Sequence, residues 1–178
     1  MALSRYQLTS KIGATVSDAE FAACYRAEMP GLVRHVMNQG AGEQEAADAA
    51  QAAFARAYQV WETIRYPRAW LRTVAAREYL HSAPRTREIL ADAGTLDGAV
   101  PGQVMGKMEF TGEEQAVLEA LGGLPQRQRE SMAWHFDGFT PAEIAERLGT
   151  DPAAVRQSLA RARRNLARRL GPTEKGAE

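Results

Sequence analysis

The segment from Pro152 to Leu170 contains six arginines and no acidic residue. A guanidinium group binds phosphate oxygens and the guanine edge through two parallel hydrogen bonds, so this segment has the chemistry to bind a polyanion, nucleic acid above all. A second interpretation stays open, in which these side chains are solvated and meet acidic residues from elsewhere in the fold. The six are Arg156, Arg161, Arg163, Arg164, Arg168 and Arg169.

The elements that would position these arginines form a helix-turn-helix pattern. A capping box predicts a helix start at Pro141. Thr140 is the capping residue, and Glu143 follows it by three positions. Gly149 supplies the left-handed residue that ends this helix, and Asp151 caps a second one. On the second helix a single apolar stripe predicts the buried face: Val155, Leu159, Ala162, Leu166 and Leu170.

Length and composition bound the class of protein. The chain has 178 residues, of which 45% are hydrophobic, and this is typical of a folded protein. Its single cysteine, Cys24, excludes an internal disulfide, fits a reducing cytosol and is expected to be a small buried hydrophobe. We find no apolar run of membrane-spanning length, so we expect a cytoplasmic protein without an export signal or membrane anchor.

The formal net charge of zero hides an uneven distribution. Residues 61–90 carry six basic and three acidic side chains, and residues 152–178 carry seven basic and two acidic ones. Between them, residues 91–122 carry one basic and six acidic side chains. Two basic regions therefore flank an acidic middle, and electrostatic arguments apply segment by segment.

Three amphipathic helical patterns precede the acidic region. We assign residues 1–16 to a polar tail, after which Ser17 and Glu20 form a capping box for the first helix. Pro30 should kink or divide that helix, because an internal proline costs about 3 kcal/mol. Further helices are predicted over 43–64 and 67–81, and one inward face on each helix makes a small bundle.

The second of these helices is unusually rich in alanine. Its inward line is Ala50, Phe54, Ala57, Trp61 and Ile64. Outside that line, six alanines leave a surface that would let another helix approach closely, although alanine is also simply the best helix former. These six are Ala46, Ala47, Ala49, Ala52, Ala53 and Ala55.

A linker is predicted over 83–112. It contains Pro84, Pro101 and five glycines with little periodicity, and it holds at most a short helix near 86–93. The expected fold class is therefore all-α, with two small helical domains joined by a flexible acidic linker. The domains are 17–82 and 113–171, and a C-terminal tail covers 172–178.

The second domain begins with two helices ahead of the helix-turn-helix. They are predicted over 113–121 and 126–136, and the second turns Met132, Ala133 and Phe136 inward.

No catalytic or metal site is predicted. His35, His81 and His135 lie on three separate segments, and the sequence has neither a Gly-rich phosphate loop nor the paired histidines of a zinc helix. We therefore expect neither an enzyme nor a cofactor.

Two segments resemble a known family. LPQRQRESMAWHFDGFTPAEIAERLGTDPAAVRQSLARARRNLARRL resembles region 4 of bacterial RNA polymerase sigma factors of the extracytoplasmic-function type. EQEAADAAQAAFARAYQVWETI with YPRAWLRTVAAREYL resembles region 2 of the same family. The resemblance implies a protein that joins core RNA polymerase and directs promoter-specific transcription. The residues alone also leave open a stand-alone helix-turn-helix transcriptional regulator.

The resemblance implies roles for three groups of residues. At the −35 promoter element, bases would be contacted by Arg156, Gln157, Ser158 and Arg161, and phosphates by Arg163 and Arg164. The −10 element would be opened and held by Arg65, Tyr66, Arg68, Arg72 and Arg77. The β′ clamp helices of the polymerase would be bound by Asp48, Gln51 and Phe54. The β flap is a further implied partner, and an anti-sigma protein is a candidate one.

Several positions depart from the family pattern. Ala47 and Ala52 stand where the clamp-binding helix often has acidic residues, and Ala76 stands where an arginine is frequent. Ser158 replaces a common arginine on the last helix. These departures leave the promoter sequence and the strength of polymerase binding open.

Overall fold

The computed structural model of the protein describes residues 6–92 and 110–171, with side chains over 18–82 and 110–171. Within these ranges the chain forms seven α-helices and a short 3-10 helix, Trp61–Thr63, and no strand. The predicted all-α fold class is confirmed. The helices are α1 (Tyr6–Met37), α2 (Glu43–Val60), α3 (Pro67–Asp92), α4 (Gly112–Gly122), α5 (Gln126–Phe136), α6 (Pro141–Leu148) and α7 (Pro152–Leu170).

The first helical unit consists of α1, α2 and α3 packed around one hydrophobic core. Leu32, Phe54 and Leu71 contribute one large buried side chain from each helix. The alanine-rich surface of α2 does allow close helix approach, because Ala46, Ala49 and Ala53 are buried in this core. The bare surface is therefore used in part by the chain itself.

The first helix is longer and less interrupted than the sequence predicts. It starts at Tyr6 and not at Ser17, so the expected helix start is wrong; residues 1–5 lie outside the described residues. The helix also continues through Pro30, so of the two expected outcomes, a kink or a division into two helices, the division is wrong. Pro30 itself is exposed, while its neighbours Met29 and Leu32 are buried, and burial of that size can offset an internal proline.

The third helix also extends beyond its predicted end. It passes Pro84 and ends at Asp92, beyond its predicted end at residue 81, and the predicted short helix near 86–93 is the end of α3. A helix adds one backbone hydrogen bond for each residue once it has begun, and this favours its extension. The rest of the predicted linker, 93–109, lies outside the described residues.

The second helical unit consists of α4 to α7 around a second core, with Leu121, Ile144 and Val155 among its buried side chains. Met132 and Ala133 are buried as predicted, but Phe136 is 52% exposed because α5 ends there. The buried large residue that the pattern missed on this helix is Trp134.

The described residues contain no helix long and apolar enough to cross a membrane. In the same part of the chain, no cluster of three or more histidine, cysteine or acidic residues could hold a metal ion. Cys24 is half-buried against the first core. Burial raises the pKa of its thiol, and the Glu28 carboxylate raises it further, so this thiol is a weak nucleophile.

Candidate nucleic-acid interface

The helix-turn-helix has the geometry that the sequence predicts. Thr140 Oγ1 accepts a hydrogen bond from Glu143 N at 3.4 Å, and Glu143 Oε2 accepts one from Thr140 N at 2.8 Å, which completes the capping box. Gly149 ends α6 in the left-handed conformation, at φ 62° and ψ 42°. Asp151 Oδ1 then accepts a hydrogen bond from Ala154 N at 2.8 Å and caps α7. Local signals thus fix both the turn and the start of the arginine-rich helix.

The predicted stripe of α7 faces the core of the second unit. Val155, Leu159, Ala162 and Leu166 are buried as predicted, whereas Leu170 is 44% exposed at the end of the helix. The stripe packs against α5 and α6. Because one face of α7 is held in this way, its arginines lie on the remaining, exposed faces.

Within the described part of the chain, no carboxylate lies within 4.0 Å of an α7 guanidinium. The open interpretation that acidic partners neutralise this helix therefore finds no support there. The two arginines near the C-terminal end contact neutral groups of the protein: Arg168 donates to Asn165 Oδ1, and Arg169 donates to Gly123 O at 2.7 Å. Arg163 lies 2.9 Å from His135 Nε2.

Arg156, Arg161 and Arg164 are exposed and make no hydrogen bond or ion pair with any described residue. These guanidinium groups therefore keep all of their donors for a ligand. An arginine whose donors are not used within the fold is best suited to bidentate binding of phosphate or guanine.

A groove of about 710 Å³ separates the N-terminal parts of α5 and α7. Arg161 and Gln157 line it from α7, and Arg127 lines it from α5. Arg127 is exposed, and sequence reasoning did not nominate it. Its position in the first turn of α5, shortly after Pro125, was the available signal, because donors at a helix N-terminus favour anions.

Ser158, nominated for base contact, is already engaged within the fold. Its hydroxyl donates to Arg127 O at 3.1 Å and accepts from Ser131 Oγ at 3.1 Å. These bonds join α7 to α5. Gln157, its neighbour, is exposed on the groove side.

The residues nominated for the −10 element fall into two structural groups. Tyr66 is 64% exposed, the Arg65 guanidinium lies 5.4 Å from its ring centroid, and Arg77 is also exposed. An exposed ring with a cationic side chain beside it can stack on an unpaired base. Arg68 and Arg72, by contrast, are directed at the second helical unit.

A network of polar and charged groups joins the two units at the turn between α5 and α6. Arg72, only 2% exposed, donates from Nε to Asp137 Oδ2 at 2.8 Å and from Nη1 to Glu28 Oε2 at 2.8 Å. Arg68 Nη2 donates to Asp137 O at 2.7 Å. His35 Nδ1 lies 2.5 Å from Asp137 Oδ2. We call these five residues, Glu28, His35, Arg68, Arg72 and Asp137, the interface network.

The histidine of the interface network is fully buried, and its surroundings suit the neutral imidazole. Its Nδ1–H can donate to Asp137 while Nε2 accepts from Gln39 Nε2 at 2.8 Å. Burial lowers the pKa of His35, although the hydrogen bond to Asp137 opposes that shift. Burial acts to raise the pKa of Asp137, but hydrogen bonds from His35 and Arg72 outweigh it and hold that pKa below its usual value.

The residues nominated for polymerase docking do not share one surface. Asp48 and Gln51 are exposed on α2, and Asp48 Oδ1 accepts a hydrogen bond from Gln44 Nε2 at 3.0 Å. Phe54 is only 2% exposed, and its ring packs against Phe21 and Tyr25 in the first core. A docking role for Phe54 therefore conflicts with its position.

Comparison with known proteins identifies relatives of the chain. Residues 114–166 match the family model described as Sigma-70, region 4. Over 137 residues the chain is 33% identical to a probable RNA polymerase sigma factor, RfaY, of Xanthomonas campestris pv. campestris. That match covers 69% of this chain and 33% of the relative, so the chain spans about a third of the length of the curated relative that it matches.

Two solved structures share the fold. The sigma factor RpoE of Bartonella quintana, solved in complex with the anti-sigma factor NepR, aligns with a TM-score of 0.66 and 21% identity over 87% of this chain and 99% of that chain. CnrH, solved in complex with the cytosolic domain of CnrY, aligns with a TM-score of 0.61 and 21% identity over 86% of this chain and 88% of that chain.

Proposed function

We propose that this chain, a homologue of bacterial RNA polymerase sigma factors, joins core RNA polymerase and directs transcription to specific promoters. We also propose that it is a sigma factor of the extracytoplasmic-function type, because its two segments that resemble regions 2 and 4 point to that type. The observation that carries it is the α7 helix, which displays arginines without carboxylate partners among the described residues, on a helix-turn-helix with sigma-70 region 4 sequence.

In this proposal α7 enters the major groove of the −35 element. Arg156, Gln157 and Arg161 would reach base edges, because a helix of this kind reads bases with side chains from its N-terminal half. Arg127 joins them as a contact from α5, since it lines the same groove as Arg161. Arg163 and Arg164 would bind phosphates, and the hydroxyl of Ser158 would orient α5 against α7 in addition to its predicted base contact.

The first helical unit would act at the −10 element and on the polymerase. Tyr66 would supply a ring for stacking on a flipped base, with Arg65, Arg68 and Arg77 on the strands. The nominated Arg72 is buried and held by Asp137 and Glu28, so a strand contact for it conflicts with its position. Asp48 and Gln51 would bind the β′ clamp helices from the exposed side of α2. In terms of domains, region 2 would cover 17–82 and region 4 would cover 113–171, and region 4 would also meet the β flap.

Further parts of the proposal follow from that activity. The chain would act in the cytoplasm, where polymerase and promoters are, and it would need neither catalysis nor a cofactor of its own. An anti-sigma protein is a candidate inhibitor of this chain, because its structural neighbour RpoE was solved in complex with the anti-sigma factor NepR.

The test is transcription by core polymerase on a library of genomic templates. We expect the chain to direct starts at specific sites. Arg161→Ala should lower that yield by the equivalent of about 1–3 kcal/mol, without loss of polymerase binding. Raising the salt concentration should weaken promoter binding steeply, because phosphate contacts release counterions.

The matched control is Arg168→Ala, which removes the same charge. Arg168 lies seven residues further along α7, roughly 10 Å at the rise of an α-helix, and its guanidinium contacts Asn165. A clearly smaller loss is expected for this variant. Equal losses would overturn the assignment of Arg161, and tight sequence-specific DNA binding by the chain alone, without any directed start, would favour a stand-alone regulator.

A further inference from the structure

The last turn of α5 and the middle of α7 bring a histidine and an arginine together. His135 Nε2 lies 2.9 Å from Arg163 Nη2. His135 is half-buried, whereas Arg163 is exposed on the arginine-rich helix. Among the described residues, no carboxylate lies within 4.0 Å of either side chain. Two basic side chains therefore meet here without an acidic partner in the described part of the chain.

This contact requires the neutral form of the histidine. A guanidinium group only donates hydrogen bonds and stays protonated in proteins, so His135 Nε2 must be the acceptor. The imidazole then carries its one proton on Nδ1. A second proton, on Nε2, would remove the acceptor and place two positive charges at the distance of a hydrogen bond. The contact can therefore exist only while His135 is neutral.

The charged groups that neighbouring elements place near this end of α5 have partners of their own. They are the interface network, which α1 and α3 direct at Asp137, and Arg147 of α6, whose guanidinium lies 5.6 Å from the Trp134 ring centroid. From α7, Arg163 is the charged group in contact with His135. The last turn of a helix also carries the negative end of its dipole, which favours a cation at this position. An anion that reached both side chains would therefore find two cationic donors, provided that His135 had gained a proton.

We propose that His135 and Arg163 form a site for one phosphate of the DNA backbone, and that His135 takes up a proton when this phosphate binds. The inference rests on the proposed function, in which Arg163 meets the backbone. A phosphate oxygen can accept hydrogen bonds from Arg163 and from the protonated Nε2 together, and its negative charge offsets the repulsion between them. The proton comes from solvent, and no covalent bond is broken. Binding of DNA should therefore tighten as the pH falls.

The site can be tested with the full chain and a fluorescent DNA duplex of random sequence, because phosphate contacts do not depend on the bases. The dissociation constant is measured at pH 8 and at pH 6, a range in which an ordinary histidine changes its charge. We expect the wild type to bind roughly fivefold more tightly at pH 6, since the bound phosphate favours the charged imidazole. Circular dichroism at both pH values checks that the helices are retained.

Variants at His135 assign the effect to this side chain. His135→Gln keeps a polar side chain that cannot gain a proton, so it should lose most of the pH dependence. His135→Lys carries a fixed positive charge and should bind at pH 8 about as tightly as the wild type does at pH 6. The matched control is His81→Gln, because His81 is exposed on α3 and is one of the three histidines of the chain. This control should keep the pH dependence of the wild type.

The inference is overturned if the affinity of the wild type does not rise between pH 8 and pH 6, or if the chain binds no duplex at either pH. An equal rise in His135→Gln also overturns it, and so does a loss of the rise in His81→Gln. Failure of the proposed function gives a different result. Core polymerase with the wild-type chain would then direct no transcription start, while the pH dependence of duplex binding at His135 would persist.

Discussion

Replacing Phe54 by alanine distinguishes a residue that maintains the fold from one that binds polymerase. The Phe54 ring is 2% exposed, and its centroid lies 5.9 Å from that of Phe21 and 4.7 Å from that of Tyr25. Truncating a fully buried phenylalanine costs about 3–5 kcal/mol, through lost burial and the cavity left behind. This is a large part of the roughly 5–15 kcal/mol by which a domain is stable.

Urea unfolding followed by far-ultraviolet circular dichroism measures this loss. Gln51→Ala is the control, since Gln51 lies almost one turn earlier on the exposed side of α2 and should change stability by less than about 0.5 kcal/mol. Under conditions where Phe54→Ala is still folded, we expect it to bind core polymerase normally, and we expect Gln51→Arg to bind weakly. A stability loss below about 1 kcal/mol together with lost polymerase binding would refute the core assignment.

Two further predictions concern the cap of α6 and the interface network. Thr140→Ala should lower the free energy of unfolding, measured in urea, by about 1 kcal/mol, because it removes the capping box. Thr140→Ser should keep the wild-type stability. Equal stability of all three proteins would contradict the role of the cap. Lowering the pH through 6.5, the ordinary pKa of histidine, should reduce stability, because the pKa of buried His35 is lower in the folded state and the unfolded chain therefore binds more protons. The melting temperature of the wild type should therefore fall between about pH 7.5 and pH 5.5, and that of His35→Gln should not. An equal fall in the variant would assign the effect to another group.

The parts of the fold that sequence predicted well are those with local signals. The starts of α6 and α7 follow from Pro141 and Pro152 beside their capping residues, and Gly149 marks the turn between them. Neither Pro30 nor Pro84 ends its helix, because tertiary packing or helix extension offsets the penalty of an internal proline.

The sequence predicted the residues of the candidate site only where a single helix holds all of them. The exposed arginines of α7 follow from the spacing of its buried stripe. The interface network does not, because Asp137 lies 65 residues from Arg72 and 102 from His35, and no local pattern links them. Phe54 shows a different failure: the helical spacing placed it on the inward line, and that assignment is confirmed by its burial, whereas the family resemblance nominated it for docking.

The length of α3 sets how far the two units can move apart. Its 26 residues span roughly 39 Å along the helix axis. From its end at Asp92, the chain over 93–111 can reach at most about 65 Å when fully extended. If the connecting segment began at residue 83, its maximum reach would be about 20 Å greater, because an extended residue spans more than twice the rise of a helical one. Under the proposed function, this maximum reach would limit which spacings between two promoter elements a single molecule can contact at once.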